Sequence, residues 1–212
     1  MTRTRVMLAD DHTILVEAFR KLLEPHYDVV GAVADGRSLL EIAPQLNPEV
    51  VILDIGMPLL NGLEAGVRLK QLMPAVKLVI LTMNEDPDLA VEAMRSGASA
   101  YLLKHSAAEE LLRAIQMALK GKTYITPLIS KGMLEAFIRN PEATGQAKVL
   151  TPRQREVVQL LAEGKSMKEA ADILKIKERT VAFHKYRAME ELNLTTSAEL
   201  VQYAIKAKIL VK

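Results

Sequence analysis

The stretch Val50-Val51-Ile52-Leu53-Asp54-Ile55-Gly56-Met57-Pro58 decides the fold. Its first four residues form an unbroken apolar run that ends at a carboxylate and a Gly/Pro turn. A strand that is apolar on both faces has both faces covered, which marks a parallel sheet rather than a half-exposed antiparallel one. Similar runs flank it: Arg5–Ala9, Val29–Val33, Lys77–Leu81 and Ala100–Leu103. Between these runs the apolar residues take helical spacing, clearest at Ile14, Leu15, Ala18, Phe19, Leu22 and Leu23. Further helical segments lie around 36–46, 62–73, 87–96 and 107–120. Asp86-Pro87 reads as N-cap then N1, and Ser106 with Glu109 as a capping box. Five βα units within residues 1–122 predict a doubly wound α/β domain.

After Gly121 the pattern changes. Residues 123–148 carry Pro127, Pro141 and a polar stretch from Asn140 to Lys148, which reads as a linker with one helix around Ser130–Arg139. Three capping boxes follow: Thr151 with Gln154, Ser166 with Glu169, and Thr196 with Glu199. They open helices at 152–163, 167–174 and 197–207, and a fourth spans about 178–192, so residues 149–212 read as an all-α four-helix domain.

Half of the 212 residues are hydrophobic and 25% are charged, a globular composition at a length that suits two small domains. With no cysteine, disulfide frameworks, thiolate nucleophiles and thiolate zinc sites are excluded, and a reducing cytoplasm is the expected location. The apolar run after Met1-Thr2-Arg3-Thr4-Arg5 stops at Asp10-Asp11, too early for a secretory signal. No run approaches the ~18 residues of a membrane span, so no membrane partner is expected. Residues 1–122 hold 13 Lys/Arg against 16 Asp/Glu, whereas 149–212 hold 12 against 8. A basic tail behind an acidic front suits an anionic partner such as nucleic acid, although so mild an excess also describes an ordinary solvated surface.

Ligands of doubly wound sheets bind outside the carboxyl ends of the strands. Asp10 and Asp11 follow the first strand, Asp54 ends the third, Thr82 ends the fourth and Lys104 ends the fifth. Taken singly, Asp11 reads as a helix cap, Thr82 as a turn former and Lys104 as a solvated strand end. Together they form one rim, where three carboxylates repel unless a cation neutralises them, and all-oxygen ligation suits Mg²⁺. A hydroxyl and an ammonium opposite would receive phosphoryl oxygens, so the rim reads as a carboxylate nucleophile that accepts a phosphoryl group. Gly56-Met57-Pro58-Leu59-Leu60-Asn61-Gly62 suits a loop wrapping that site.

The motifs Ala9-Asp10-Asp11-His12, Leu53-Asp54-Ile55-Gly56-Met57-Pro58, Leu81-Thr82 and Leu102-Leu103-Lys104 give residues 1–122 a resemblance to response-regulator receiver domains, which have a flavodoxin-like (βα)5 fold. Residues 149–212 resemble a LuxR-type helix-turn-helix domain, carried by Leu150-Thr151-Pro152-Arg153-Gln154-Arg155-Glu156-Val157, Glu169-Ala170-Ala171-Asp172-Ile173-Leu174, and Thr180-Val181 followed by His184. Together they resemble the NarL/FixJ class of two-component signalling. The resemblance implies Asp54 as phosphoacceptor and Asp10, Asp11, Asp54 and the Gly56 backbone carbonyl as Mg²⁺ ligands. It implies Thr82 and Lys104 on the phosphoryl oxygens and Tyr101 as a switch aromatic. Many receivers carry Pro after the lysine, with a cis bond; this chain has His105.

In such a domain 167–174 is the supporting helix, Lys175-Ile176-Lys177 the turn and 178–192 the helix that enters the major groove. Val181, Ala188 and Leu192 then face the core, and Arg179, Ala182, Phe183, Tyr186, Arg187 and Glu190 face outward. Relatives often carry Lys or Arg where this chain has Ala182 and Tyr186, and a polar cap where it has Lys177. Contacts to DNA are expected from Lys165, Lys175, Lys177, Arg179, Thr180, Ala182, Phe183, Lys185, Tyr186 and Arg187, with Lys185 reaching phosphate from the domain edge. Phe183 and Tyr186 alternatively serve a protein interface, and His184 reads as a packing residue.

The sequence thus predicts a phosphorylation-controlled regulator that binds promoter DNA, takes its phosphoryl group from a sensor histidine kinase and forms a homodimer on phosphorylation or on DNA. It is expected to be a phosphoacceptor with at most self-catalysed phosphorylation and dephosphorylation, not a turnover enzyme. A phosphatase of the haloacid dehalogenase type would need an acid two residues after the nucleophile, where this chain has Gly56. A nucleotide-binding protein would need a glycine-rich phosphate loop, and Gly-x-x-x-x-Gly-Lys-Ser/Thr is absent.

Overall fold

A computed structural model describes residues 3–139 and 150–210. The whole polar stretch expected over Asn140–Lys148 therefore lies outside the described residues. The N-terminal part runs β1 (Arg5–Ala9), α1 (Thr13–Leu23), β2 (Asp28–Val33), α2 (Gly36–Leu46), β3 (Val50–Asp54), α3 (Gly62–Leu72), β4 (Lys77–Thr82), α4 (Pro87–Arg95), β5 (Ala100–Leu103), α5 (Ala107–Leu119), β6 (Tyr124–Ile125) and α6 (Pro127–Arg139). The C-terminal part is α7 (Pro152–Ala162), α8 (Met167–Leu174), α9 (Glu178–Glu191) and α10 (Ser197–Lys206).

The sheet is parallel throughout, in the order β2-β1-β3-β4-β5-β6, and the fold is the flavodoxin-like one. Its central strand is wholly buried, and its side chains alternate between two cores. Val51 and Leu53 pack with α2, α3 and α4, while Val50 and Ile52 pack with α1 and α5. This division is why the run is apolar at every position rather than at every second one.

The sheet has six strands where five were expected. Without β6, β5 would be an edge with unpaired backbone groups; the short β6 pairs with it and Thr126 N–H donates to the Tyr101 carbonyl at 3.0 Å. The helix expected to begin at Ser130 begins at Pro127, where a proline at the first turn loses no hydrogen bond. The capping box expected at Ser106 does not form. Lys104–Ser106 is a 3₁₀ turn that sets Ser106 at φ −103°, ψ −3°, so its hydroxyl donates back to the Leu103 carbonyl at 3.2 Å. The other three boxes are present at Thr151, Ser166 and Thr196, and Asp86 caps α4.

Gly62 fixes how the loop after β3 returns. Its N–H donates to the Ile55 carbonyl at 2.9 Å, and a Cβ there would lie 1.9 Å from the Asp54 carbonyl oxygen, so only glycine brings the start of α3 this close.

Candidate functional site

Four neighbouring strands deliver the polar rim. Asp10 follows β1, Asp54 closes β3, Thr82 closes β4 and Lys104 follows β5; all four are buried. The Lys104 ammonium lies between two carboxylates, Nζ to Asp10 Oδ2 at 2.8 Å and to Asp54 Oδ2 at 3.0 Å. Burial pushes the Asp54 carboxyl above its ordinary range, with the Asp10 charge adding to the rise; Lys104 and the Gly56 N–H oppose it. Asp11 and His12 close the rim on the solvent side. The His12 Nδ1 is 3.0 Å from both Asp10 Oδ1 and Asp11 Oδ1. Ligand atoms from Asp10, Asp11, His12 and Asp54 all lie within 4.8 Å of one another. Three carboxylates face one ammonium, so the cluster carries a formal deficit of two positive charges when His12 is neutral. An oxygen-rich donor set of that charge fits a Mg²⁺ ion.

Thr82 and Tyr101 meet at Asn84. Thr82 Oγ1 accepts from the Asn84 N–H at 3.1 Å, and the fully buried Tyr101 donates its hydroxyl to the Asn84 carbonyl at 3.0 Å. The ring, expected as a switch aromatic, is already inside in this state. The Asn84 side chain accepts from the Asp86 N–H at 2.8 Å, linking Thr82 to the cap of α4.

In the helical domain α8 ends at Lys175, whose backbone is left-handed at φ 53°, and the Ile176 N–H returns to the Ala171 carbonyl at 3.0 Å. That tight turn sets α9 across α8. Val181 and Ala188 are fully buried, while Arg179, Phe183, Tyr186 and Arg187 face solvent, with both aromatic residues 59% exposed. Lys177 stands at the N-cap of α9 with no side-chain cap. Lys185 is tied inward: its Nζ donates to Ser197 Oγ on α10 at 3.0 Å and lies 5.3 Å from the centre of the Tyr186 ring. Arg187 pairs with Glu190 at 2.7 Å. The half-buried His184 packs edge-on to Phe183, and burial, with the charge of Arg153, lowers its pKa.

Residues 6–116 match the response regulator receiver domain family, and residues 148–204 match the luxR family of bacterial regulatory proteins. The chain belongs to the response regulators. Its C-terminal domain is of the LuxR type, which makes it a DNA-binding transcription regulator. It is 34% identical to the oxygen regulatory protein NreC of Staphylococcus carnosus, over 97% of this chain and 99% of that protein. It is also similar to RcsB from Salmonella enterica serovar Typhimurium bound to promoter P1flhDC in the presence of the phosphomimetic BeF3⁻. That likeness is at 27% identity and TM-score 0.62, covering 98% of this chain and all of that one. A structure of two RcsB dimers bound to two parallel DNAs matches at 28% identity and TM-score 0.59, over 95% and 98% of the two chains.

In this response regulator the loop after β3 is also the seat of the C-terminal domain. Asn61 N–H donates to Gln159 Oε1 at 2.9 Å, Gln159 Nε2 donates to the Met57 carbonyl at 3.3 Å, and the Leu59 N–H donates to Glu163 at 3.1 Å. Leu59 holds φ 65°, a costly angle for leucine, and its side chain packs against the α7–α8 core. Beside it the buried Glu156 accepts from Arg37 at 2.5 Å, from Arg68, and from Arg153 at 2.9 Å. Burial opposes its charge, but the hydrogen bonds from Arg68 and Arg37 hold its carboxyl below the ordinary range. On the far side Lys208 pairs with Asp86, the cap of α4. Among the described residues, the outward face of α9 takes no part in these contacts.

Sequence reasoning gave none of Glu156, Gln159 and Glu163 a role. Their spacing of three and four residues is a polar stripe along α7, which by itself reads as a solvated face. The signal available was that Leu59, an exposed-looking loop leucine, needs an apolar partner.

Replacing Glu156 with Ala should weaken docking of the two domains by about 2–3 kcal/mol, less than for a fully buried pair because the arginines are partly exposed. Small-angle scattering should show a larger radius of gyration. Because docking depresses the Glu156 pKa, its contribution is complete above the ordinary carboxylate range and is lost as the pH falls through that range toward the depressed value. Burial gives Glu163 the opposite slope, so the wild type must be compared with Glu156→Gln, whose opening should lack this acid dependence.

Proposed function

We propose that Asp54 accepts a phosphoryl group from a sensor histidine kinase and that the modified chain controls transcription by binding promoter DNA through α9. The observation that carries this is the convergence of Asp10, Asp54 and Lys104 at the ends of adjacent parallel strands. One Asp54 carboxylate oxygen attacks phosphorus while the bond from phosphorus to the donor's histidine nitrogen breaks, and the electron pair leaves with that nitrogen. The Lys104 ammonium, already against Asp54, transfers to a phosphoryl oxygen. Thr82 Oγ1 takes another, which withdraws it from the Asn84 N–H. Asp10, Asp11, Asp54 and the Gly56 carbonyl would hold Mg²⁺, which when bound neutralises the phosphoryl oxygens. Gly56, two residues past the nucleophile, has no side chain to act as acid, so the role is that of an acceptor with at most self-catalysed turnover.

The change at the rim reaches the output domain by two routes, one from Asn84 and one from Asp54. Asp86 and Lys208 form one, and the loop from Ile55 to Asn61, anchored on α7, forms the other. The chain is read as cytoplasmic; no helix among the described residues is long and apolar enough to cross a membrane. The basic residues flanking and on α9, with Lys165 before α8 (Lys165, Lys175, Lys177, Arg179, Lys185 and Arg187), position the domain on phosphate. Thr180, Ala182, Phe183 and Tyr186 face the base edges. Dimers of RcsB on DNA support a homodimer that presents two reading helices to paired half-sites.

Incubation with a small phosphodonor and Mg²⁺ should add one alkali-labile phosphate by mass spectrometry, absent in Asp54→Asn. Thr82→Ala should still take the label yet fail to gain DNA affinity from it. Full labelling of Asp54→Asn would overturn the assignment.

For DNA binding, log affinity should fall linearly with log salt, and Lys177→Ala should reduce the slope by about 0.9 without changing sequence preference. Phe183→Ala and Tyr186→Ala should relax specificity, by roughly 1–3 kcal/mol at the base pairs they read. Equal losses on all sequences would assign the two rings to packing instead.

A further inference from the structure

Helix α6 has two faces, one of which is accounted for by α4. Ile129 and Ala136 are buried there, Gly132 lies against Pro87, and the Arg95 guanidinium sits 5.0 Å from the centre of the Phe137 ring. The opposite face carries Leu128, Leu134 and Ile138, exposed by 64%, 61% and 66%, with exposed Lys131 and Glu135 beside them. At 3.6 residues per turn these five fall within roughly a third of the helix circumference. Three large apolar side chains in one exposed stripe mark a contact surface rather than scattered exposure.

We propose that this stripe pairs with the same stripe of a second copy, the two α6 helices running antiparallel across a two-fold axis at residue 133. The charge pattern selects both the partner and the register. With the axis there, Leu128 lies opposite the partner's Ile138 and Lys131 opposite the partner's Glu135, and symmetry repeats each pair. A parallel pairing in register would instead set Lys131 beside the partner's Lys131 and Glu135 beside the partner's Glu135. The antiparallel arrangement places Leu134 about 3 Å along the axis from its own copy, whereas Leu128 and its copy are about 15 Å apart. Pro87, which touches Gly132, follows directly on Asp86, so the pair also reports on the Thr82–Asn84 linkage. The pairing itself does not require that linkage.

A chain with no cysteine allows a direct test on the full-length protein. Under mild oxidation Leu134→Cys should cross-link to itself. Leu128→Cys and Ile138→Cys should each stay uncross-linked alone and should cross-link when mixed, because 15 Å is beyond disulfide reach and the mixed positions face each other. In sedimentation analysis Lys131→Glu and Glu135→Lys should each raise the dimer dissociation constant about tenfold, and the double reversal should restore it. These surface changes leave the packed face of α6 untouched. The proposal is overturned by a wild type that stays monomeric at its highest soluble concentration with and without beryllofluoride. It is equally overturned by a dimer whose cross-linking ignores this register, or by a monomer that binds anionic phospholipid vesicles in a manner lost in Leu134→Glu.

Discussion

The Lys104 ammonium held between the carboxylates of Asp10 and Asp54 is the interaction on which the rest of the structure depends. Two like charges about 4 Å apart repel by roughly 4 kcal/mol at an effective dielectric of 20, so the strand ends converge only because a cation sits between them. The parallel sheet makes that convergence possible by delivering β1, β3, β4 and β5 to one rim. Lys104 offsets only one of the two charges, and Asp11 adds a third. What remains is a site whose negative charge favours a divalent cation, which in turn would draw a group bringing phosphoryl oxygens.

The same constraint organises the domain contact. Gly62 forces the loop after Asp54 to fold back on itself, which presents Met57, Leu59 and Asn61 to α7. The left-handed Leu59 is retained because its N–H has Glu163 and its side chain has the α7–α8 core. A change at Asp54 is therefore one short loop away from the output domain. Glu156 adds a charged hold across the contact, its buried carboxylate taking Arg37 and Arg68 from the other domain and Arg153 from its own helix. The docked state leaves the outward face of α9 in solvent, so docking governs the placement of α9 rather than its exposure.

Legibility differed by the range of the forces involved. The strands and the rim residues were readable because each strand is a continuous apolar run and each polar residue stands at its end. The helices of the output domain were readable because Thr151, Ser166 and Thr196 cap them locally. β6 escaped notice because two paired residues leave no periodicity and their formation answers an edge created by β5, far away in sequence. Ser106 misled because a local capping pattern lost to the turn that delivers Lys104. The Glu156 cluster was invisible for a related reason: Arg37, Arg68 and Glu156 are surface-like residues in their own segments and meet only in the assembled chain.

The central claim, that charge at Asp54 controls the docking of the output domain, is tested most directly by spin-label distance measurement. Labels on cysteines introduced at exposed Gln45 and Asp172 would report the separation of the two domains. The account predicts one narrow distribution without phosphoryl mimic, broadening to longer distances on addition of beryllofluoride and Mg²⁺, with no such change in Asp54→Asn. A wild-type distribution that beryllofluoride leaves unchanged would contradict it.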